Sequence, residues 1–195
     1  MVVCCFSMQQ KEDVYHATIK KYTQEELSLF SEAFASMVLW MVAHPLEDPF
    51  ARYFQQYISH GHNGQFFTPD PLANLMAGIV SPMSSGSRVL DPSCGSGSLI
   101  LSAARVNRDQ EFFGCDISLT CCLMTLINMC LNDLVGEVYH MDTLSRNIWH
   151  AWRVCRLPIT RHFYIQELTI VDTPVPEPAA APEQGTGQTL NEPTK

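Results

Sequence analysis

Between Ser87 and Asp142 three short β-rich runs alternate with two helical runs, and this alternation restricts the fold more than any other feature of the chain. "SRVLD", "EFFGCD" and "EVYHMD" carry the β-branched and aromatic residues of strands. Gly97 to Val106 and "LTCCLMTLINMCLNDL" have the length and apolar content of helices. A strand, a helix and a second strand in succession pair the strands in parallel, because the helix carries the chain back to its starting end. The pattern predicts an α/β domain of Rossmann-like, doubly wound type, with three layers and a mainly parallel sheet behind a helical N-terminal segment. Its ligands are expected beyond the carboxyl ends of the strands. All three strands end in aspartate, at Asp91, Asp116 and Asp142.

The residues before this region read as helical. In "TQEELSLFSEAFASMVLWMVAH", Thr23 and Glu26 have capping-box spacing, and Leu27, Phe30, Phe34, Val38 and Met41 recur at helical intervals up to Pro45. "DPFARYFQQYISH" begins with Asp48 as a cap and Pro49 at the first helical position. A shorter helix after Pro71 carries Leu72, Leu75, Met76 and Ile79 on one stripe. The end, "TPVPEPAAAPEQGTGQTLNEPTK", holds too little apolar surface to offset the entropy of ordering. The expected division is an N-terminal extension at 1–22, a helical segment at 23–82, an α/β core at 83–172 and a solvated Pro-rich tail at 173–195.

Charge and cysteine usage narrow the function classes. A formal net charge of -8 repels phosphate on average, so contact with DNA needs a local basic patch or a basic partner subunit. Arg146, Arg153, Arg156 and Arg161 offer such a patch, or equally a solvated rim. The eight cysteines include the adjacent pairs Cys4/Cys5 and Cys121/Cys122 and lack finger-like spacing, which argues against zinc and against a disulfide framework. A reducing cytoplasm fits this usage. "MVVCCFSMQQ" lacks the basic start and apolar length of a signal peptide or membrane span, so no membrane association is expected.

The strand ends carry the chemistry. In "DPSCGSGSL", Asp91 and Pro92 fix a turn in which Gly95 and Gly97 let the backbone bend sharply and let a ligand approach closely. The third glycine of the dinucleotide fingerprint is absent, and so is the Gly-Lys-Ser/Thr of a phosphate-cradling loop. A carboxylate at the head of such a turn suits an ammonium group, as on the methionine end of S-adenosylmethionine. Asp116 lies about 20 residues further on, where an acidic side chain accepts ribose hydroxyls. Asp142 is placed to accept from an adenine amine, with Ile117 as an apolar wall against the ring. Taken singly, an aspartate after a strand serves equally well as a helix cap. His60 and His62 have no third ligand at metal spacing, and Trp40, Trp149 and Trp152 suit packing better than base stacking.

In this order "GQFFTP", "LDPSCGSGSLIL", "GCDIS" and "HMDTL" resemble the cofactor motifs of the adenine-N6 DNA methyltransferases, above all the modification subunit of type I restriction systems. The likeness runs from about Asn63 to Leu144. It implies an S-adenosylmethionine-dependent methyltransferase fold and a DNA-modification role. It implies further that Phe66, Phe67, Thr68 and Pro69 close over the cofactor, and that Asp91, Pro92, Cys94, Gly95 and Gly97 form the methionine-binding turn. Asp116 with Ile117 and Asp142 match the ribose and adenine positions.

One departure bears on activity. Adenine-methylating members carry an Asn or Asp followed by Pro-Pro and an aromatic, which accepts the hydrogens of the target amine and stacks on the flipped base. No such tetrapeptide occurs in this sequence; the nearest approach, "DTPV" at Asp172 to Val175, reads as the end of the strand "HFYIQELTIVD". The length also leaves no room for the usual target-recognition region. Catalytic residues therefore remain unassigned. Three readings stand: a methyltransferase, a non-catalytic cofactor-binding subunit that reaches DNA through a partner, and an idle remnant of a mobile element.

Overall fold

The computed structural model describes residues 1–7, 11–51, 53, 68–80, 84, 86–157 and 163–170. Helices α1 (Val2–Cys5), α2 (Glu12–Ile19) and α3 (Gln24–Ala43) are followed by α4, which opens at 49 and is described over 49–51 and 53, and by α5 (Asp70–Val80). Then come β1 (Arg88–Asp91), α6 (Ser98–Val106), β2 (Glu111–Asp116), α7 (Leu119–Leu131), β3 (Gly136–Asp142), β4 (Asn147–Arg156) and β5 (Phe163–Glu167). The expected capping box opens α3: the Thr23 hydroxyl accepts from Glu26 N at 3.2 Å, and Glu26 Oε2 accepts from Thr23 N at 2.8 Å.

By length and composition α3 is apolar enough to cross a bilayer, and of its residues only Met41 is buried. Glu32 stands in its middle, and an ionised carboxylate at that depth costs a few kcal/mol in lipid, which opposes insertion.

The five strands form one sheet in the order β1-β2-β3-β4-β5. β1 pairs β2 and β2 pairs β3 in parallel, as the sequence predicts, but β3–β4 and β4–β5 are antiparallel. The sheet is therefore mixed rather than mainly parallel. The cause is the connection after β3, which spans only residues 143–146 and cannot hold a crossover helix. Asp142 Oδ1 closes that turn by accepting from Leu144 N at 3.0 Å and Ser145 N at 3.3 Å, with Arg146 at φ +59°. β4 has no counterpart in the sequence reading, and the expected strand "HFYIQELTIVD" appears as the shorter β5.

Helices α6 and α7 lie on one face of the sheet. Ile100, Leu101 and Ala104 of α6 and Cys122, Leu126 and Met129 of α7 pack on Phe112, Val138, Trp152, Val154 and Ile165. The opposite cluster of Phe113, Cys115, Tyr139, Met141 and Ala151 contains no helical residue. The described residues thus make two layers where a doubly wound chain would have three. Strands laid down in one direction through right-handed crossovers put successive helices on the same side, and only a reversal of strand order moves a helix to the other.

Phe112 and Leu126, both at 0% exposure, each contribute about 1.5–3 kcal/mol by leaving water. On the far face, Glu137 accepts from Arg153 Nε at 2.8 Å and from the Tyr139 hydroxyl, so the buried charge is compensated. Gly136 starts β3 at φ +151°, where a Cβ would stand 1.8 Å from Phe112 O.

Candidate functional site

The parallel register brings three strand tips together. Asp91 ends β1 opposite Gly114, and Asp116 ends β2 opposite His140. Hydrogen bonds then sew the following turns to one another. Cys94 N donates to Cys115 O at 2.8 Å, Gly95 N to Asp116 Oδ2 at 2.9 Å, and Thr143 Oγ1 to Pro92 O at 2.8 Å. The His140 ring Nε2 lies 3.2 Å from Ile117 O. Asp91, Pro92, Gly95, Asp116, Ile117 and Asp142 therefore belong to one locality.

Asp91 is the most unusual of these groups. It is 6% exposed, its Oδ1 accepts from Ser93 N at 3.1 Å, and its Oδ2 has no partner among the described residues. Burial pushes its carboxyl from 3.8 up to about 6; the Ser93 N–H opposes this, and the charge of Asp116 adds to it. Buried polar atoms in native proteins are nearly always satisfied, so an orphaned carboxylate oxygen at a strand tip points to a missing cationic or donor group.

The turn after Asp91 is built around its two glycines. Gly95 has φ +56° and Gly97 has φ +94°, a left-handed region that suits glycine. A Cβ at Gly97 would stand 3.3 Å from Thr125 Oγ1, whose hydroxyl donates to Gly95 O at 2.9 Å. Gly97 also caps α6. Cys94 is different: its side chain belongs to the core, where Thr125 Oγ1 lies 3.5 Å from its Sγ, and burial first of all pushes its thiol well above the ordinary range. Only the Cys94 backbone serves the turn.

The other aspartates do structural work as well. Asp116 is 9% exposed; besides holding Gly95 N it accepts from Ser118 N at 2.7 Å, immediately before α7. Each carboxylate oxygen still has a second lone pair for a ligand hydroxyl. Asp142 closes the β3–β4 turn, and hydrogen bonds from Ser145 hold its carboxyl below the usual carboxylate range. Ile117 is 65% exposed beside these groups, an apolar surface without cover. Thr68 and Pro69 stand at the start of α5, with Pro69 O accepting from Leu72 N and Ala73 N. Phe66 and Phe67 lie outside the described residues.

From sequence Asp48 is expected only to cap a helix, and Asn128 carries no expected role. The structure places both beneath the Gly turn: Asn128 Nδ2 donates to Asp48 Oδ1 at 2.9 Å and to Ser96 O at 2.8 Å. A lone asparagine inside the apolar run "LTCCLMTLINMCL" was the available signal, since a buried amide requires partners.

The arginine patch is partly consumed. Arg153 pairs with Glu137, Arg156 stacks on Phe163, and Arg161 lies outside the described residues. Trp152 is buried, whereas Trp149 is 39% exposed beside His140. A cavity of about 690 Å³ among α1, α2 and α3, lined by Phe6, Leu27, Phe30 and Phe34, includes none of the strand-tip residues. Among the described residues no group of three His, Cys, Asp or Glu side chains is placed to hold a metal ion.

A profile of the N-6 DNA methylase family matches residues 48–163, more than half of the chain. The chain belongs to that family. Its match begins at Asp48 and takes in the Gly turn, all three strand tips and β4, so the family region contains the site described above. A DNA-methylase-like role follows from this membership. No curated protein and no solved structure matches the chain.

Proposed function

We propose that this chain is a DNA adenine-N6 methylase-like protein that binds S-adenosylmethionine at the tips of β1, β2 and β3. The observation that carries the reading is the buried, unpartnered Oδ2 of Asp91 at the head of the Gly95–Gly97 turn. An ammonium group satisfies that oxygen and offsets the cost of burying its charge. When bound, the cofactor supplies an activated methyl group on a sulfonium centre. The chain's own part is to hold the surrounding groups. Asp91 receives the ammonium, the backbone around Gly95 and Gly97 allows close approach, and Asp116 offers its free lone pairs to ribose hydroxyls. Ile117 lies against the adenine ring, and Asp142 accepts from its amine. Phe66, Phe67, Thr68 and Pro69 cover the cofactor in this reading.

Titration calorimetry of the purified chain with S-adenosylmethionine tests the proposal. Saturable one-to-one heat is expected, and a chain that gives none overturns it.

A second reading is favoured by a specific observation. The Asn/Asp-Pro-Pro-aromatic sequence that would receive a target adenine does not occur in these 195 residues, and in this reading they bind the cofactor while the acceptor site and the DNA contacts lie on a further segment or a partner chain. The net charge of -8 and the engaged Arg153 and Arg156 support a DNA contact made through that partner. Eight unpaired cysteines support a reducing cytoplasm as its setting. Transfer of labelled methyl to DNA by the chain alone distinguishes the two readings.

A further inference from the structure

Asp48 lies far from the strand tips in sequence, yet its 9%-exposed carboxylate gathers five donors. Oδ1 accepts from Phe50 N at 2.9 Å, Ala51 N at 3.2 Å and Asn128 Nδ2 at 2.9 Å. Oδ2 accepts from Ser98 Oγ at 2.7 Å and from Ser96 Oγ. Capping α4 uses only the two backbone donors. The other three come from the Gly turn, the start of α6 and the last turn of α7. Ser96 and Ser98 flank Gly97, and Ser96 and Asn128 are both at 0% exposure.

We infer that Asp48 is a positioning residue for the cofactor turn: by fixing the hydroxyls on either side of Gly97 it sets the backbone of Gly95 to Ser98 from the buried side. The inference rests on the proposed cofactor site for its functional meaning. Its structural content is independent of that site. A turn with two left-handed glycines has unusual backbone freedom, and the two serine anchors remove it. Asp48 also caps the start of α4, so one carboxylate joins the helical segment to the turn.

Three variants separate positioning from mere support. Asp48→Ala removes the acceptor for all five donors. The double change Ser96→Ala with Ser98→Ala frees the turn and leaves the α4 cap intact. Asp48→Asn keeps one oxygen for the Oδ1 donors and turns its NH2 toward the two hydroxyls, which can accept as readily as donate.

Affinity for S-adenosylmethionine is measured by calorimetry on chains shown to be folded by near-ultraviolet circular dichroism. Asp48→Ala and the double serine variant should each weaken binding by about tenfold or more, while Asp48→Asn stays within about threefold of the parent. In the cofactor-free chain, the double serine variant should lose hydrogen-exchange protection at the Gly95 and Gly97 amides, which donate to Asp116 Oδ2 and Cys94 O, with β2 and β3 unchanged. A double serine variant with parental affinity and parental protection overturns the inference. Should Asp48→Ala not fold, the serine variant decides. If the parent chain binds no cofactor, the proposed function fails, and the exchange result alone still decides whether Asp48 holds the turn.

Discussion

Replacing Asp91 by asparagine should make the free chain more stable and the cofactor weaker. In the folded chain burial holds the Asp91 carboxyl at about 6 instead of 3.8. Each tenfold change in proton affinity corresponds to about 1.4 kcal/mol, so the shift represents about 3 kcal/mol. The direction follows from proton counts. Between about pH 4 and 6 the folded chain keeps a proton that the unfolded chain has released, so stability falls as pH rises through that window and stays lower above it. Asparagine has no charge to bury and does not show this fall. The stability difference, variant minus parent, should therefore grow by about 2–3 kcal/mol from pH 4 to pH 7, on top of a constant offset for the changed hydrogen bonding. For a chain of this size that is about 4–12 °C in melting temperature. Urea unfolding across the pH range measures the difference directly. Calorimetry on the same samples should show cofactor affinity reduced by about 1.5–3 kcal/mol, because in the proposed site the ammonium loses a charged partner. A stability difference that stays flat from acid to neutral pH would refute the burial argument, and undiminished affinity would remove Asp91 from the site.

Four further outcomes follow from other parts of the molecule. Asp116→Ala should weaken the cofactor by about 1–3 kcal/mol in calorimetry, since it takes away the proposed ribose acceptor and releases Gly95 N; unchanged affinity would rule out that role. Gly136→Ala should cost more than about 4 kcal/mol in chemical unfolding or prevent folding, because its Cβ would overlap Phe112 O at 1.8 Å; a mild effect would contradict the β2–β3 register. Burial raises the thiols of Cys94, Cys115, Cys121, Cys122 and Cys130, to about 11 for Cys115 and Cys121 and about 12 for Cys130. Iodoacetamide with mass-spectrometric readout should therefore modify exposed Cys5 while sparing those five, and equal rates would show that the α7 core is open. Thr23→Ala should cost about 1 kcal/mol of stability by removing the α3 capping box, measured by thermal unfolding.

Local chemistry was legible in the chain. Thr23 and Glu26 announced the start of α3, the alternation after Ser87 gave β1, α6, β2, α7 and β3 nearly to the residue, and three aspartates marked the strand tips. Those features depend on neighbours a few positions apart, which a linear reading can see. β4 escaped because "NIWHAWRVCR" mixes charged and aromatic residues, and its sides are defined only by what it packs on. Trp152 and Val154 meet the helices, while Ala151 faces the other cluster. Asp48 was read as a cap, which it is, but the donors that give it a second role stand 48 to 80 residues away.

The sequence by itself determined the order of elements from β1 to β3, the Asp-Pro-Gly turn and the kinship with N-6 DNA methylases, because each is encoded in short-range pattern. Tertiary structure alone decided that the sheet turns antiparallel after β3, that α6 and α7 share one face, that the Cys94 side chain belongs to the core, and that one oxygen of Asp91 is buried without a partner among the described residues. Burial and pairing are properties of distant segments brought into contact, and no local window of the chain contains both members of such a contact.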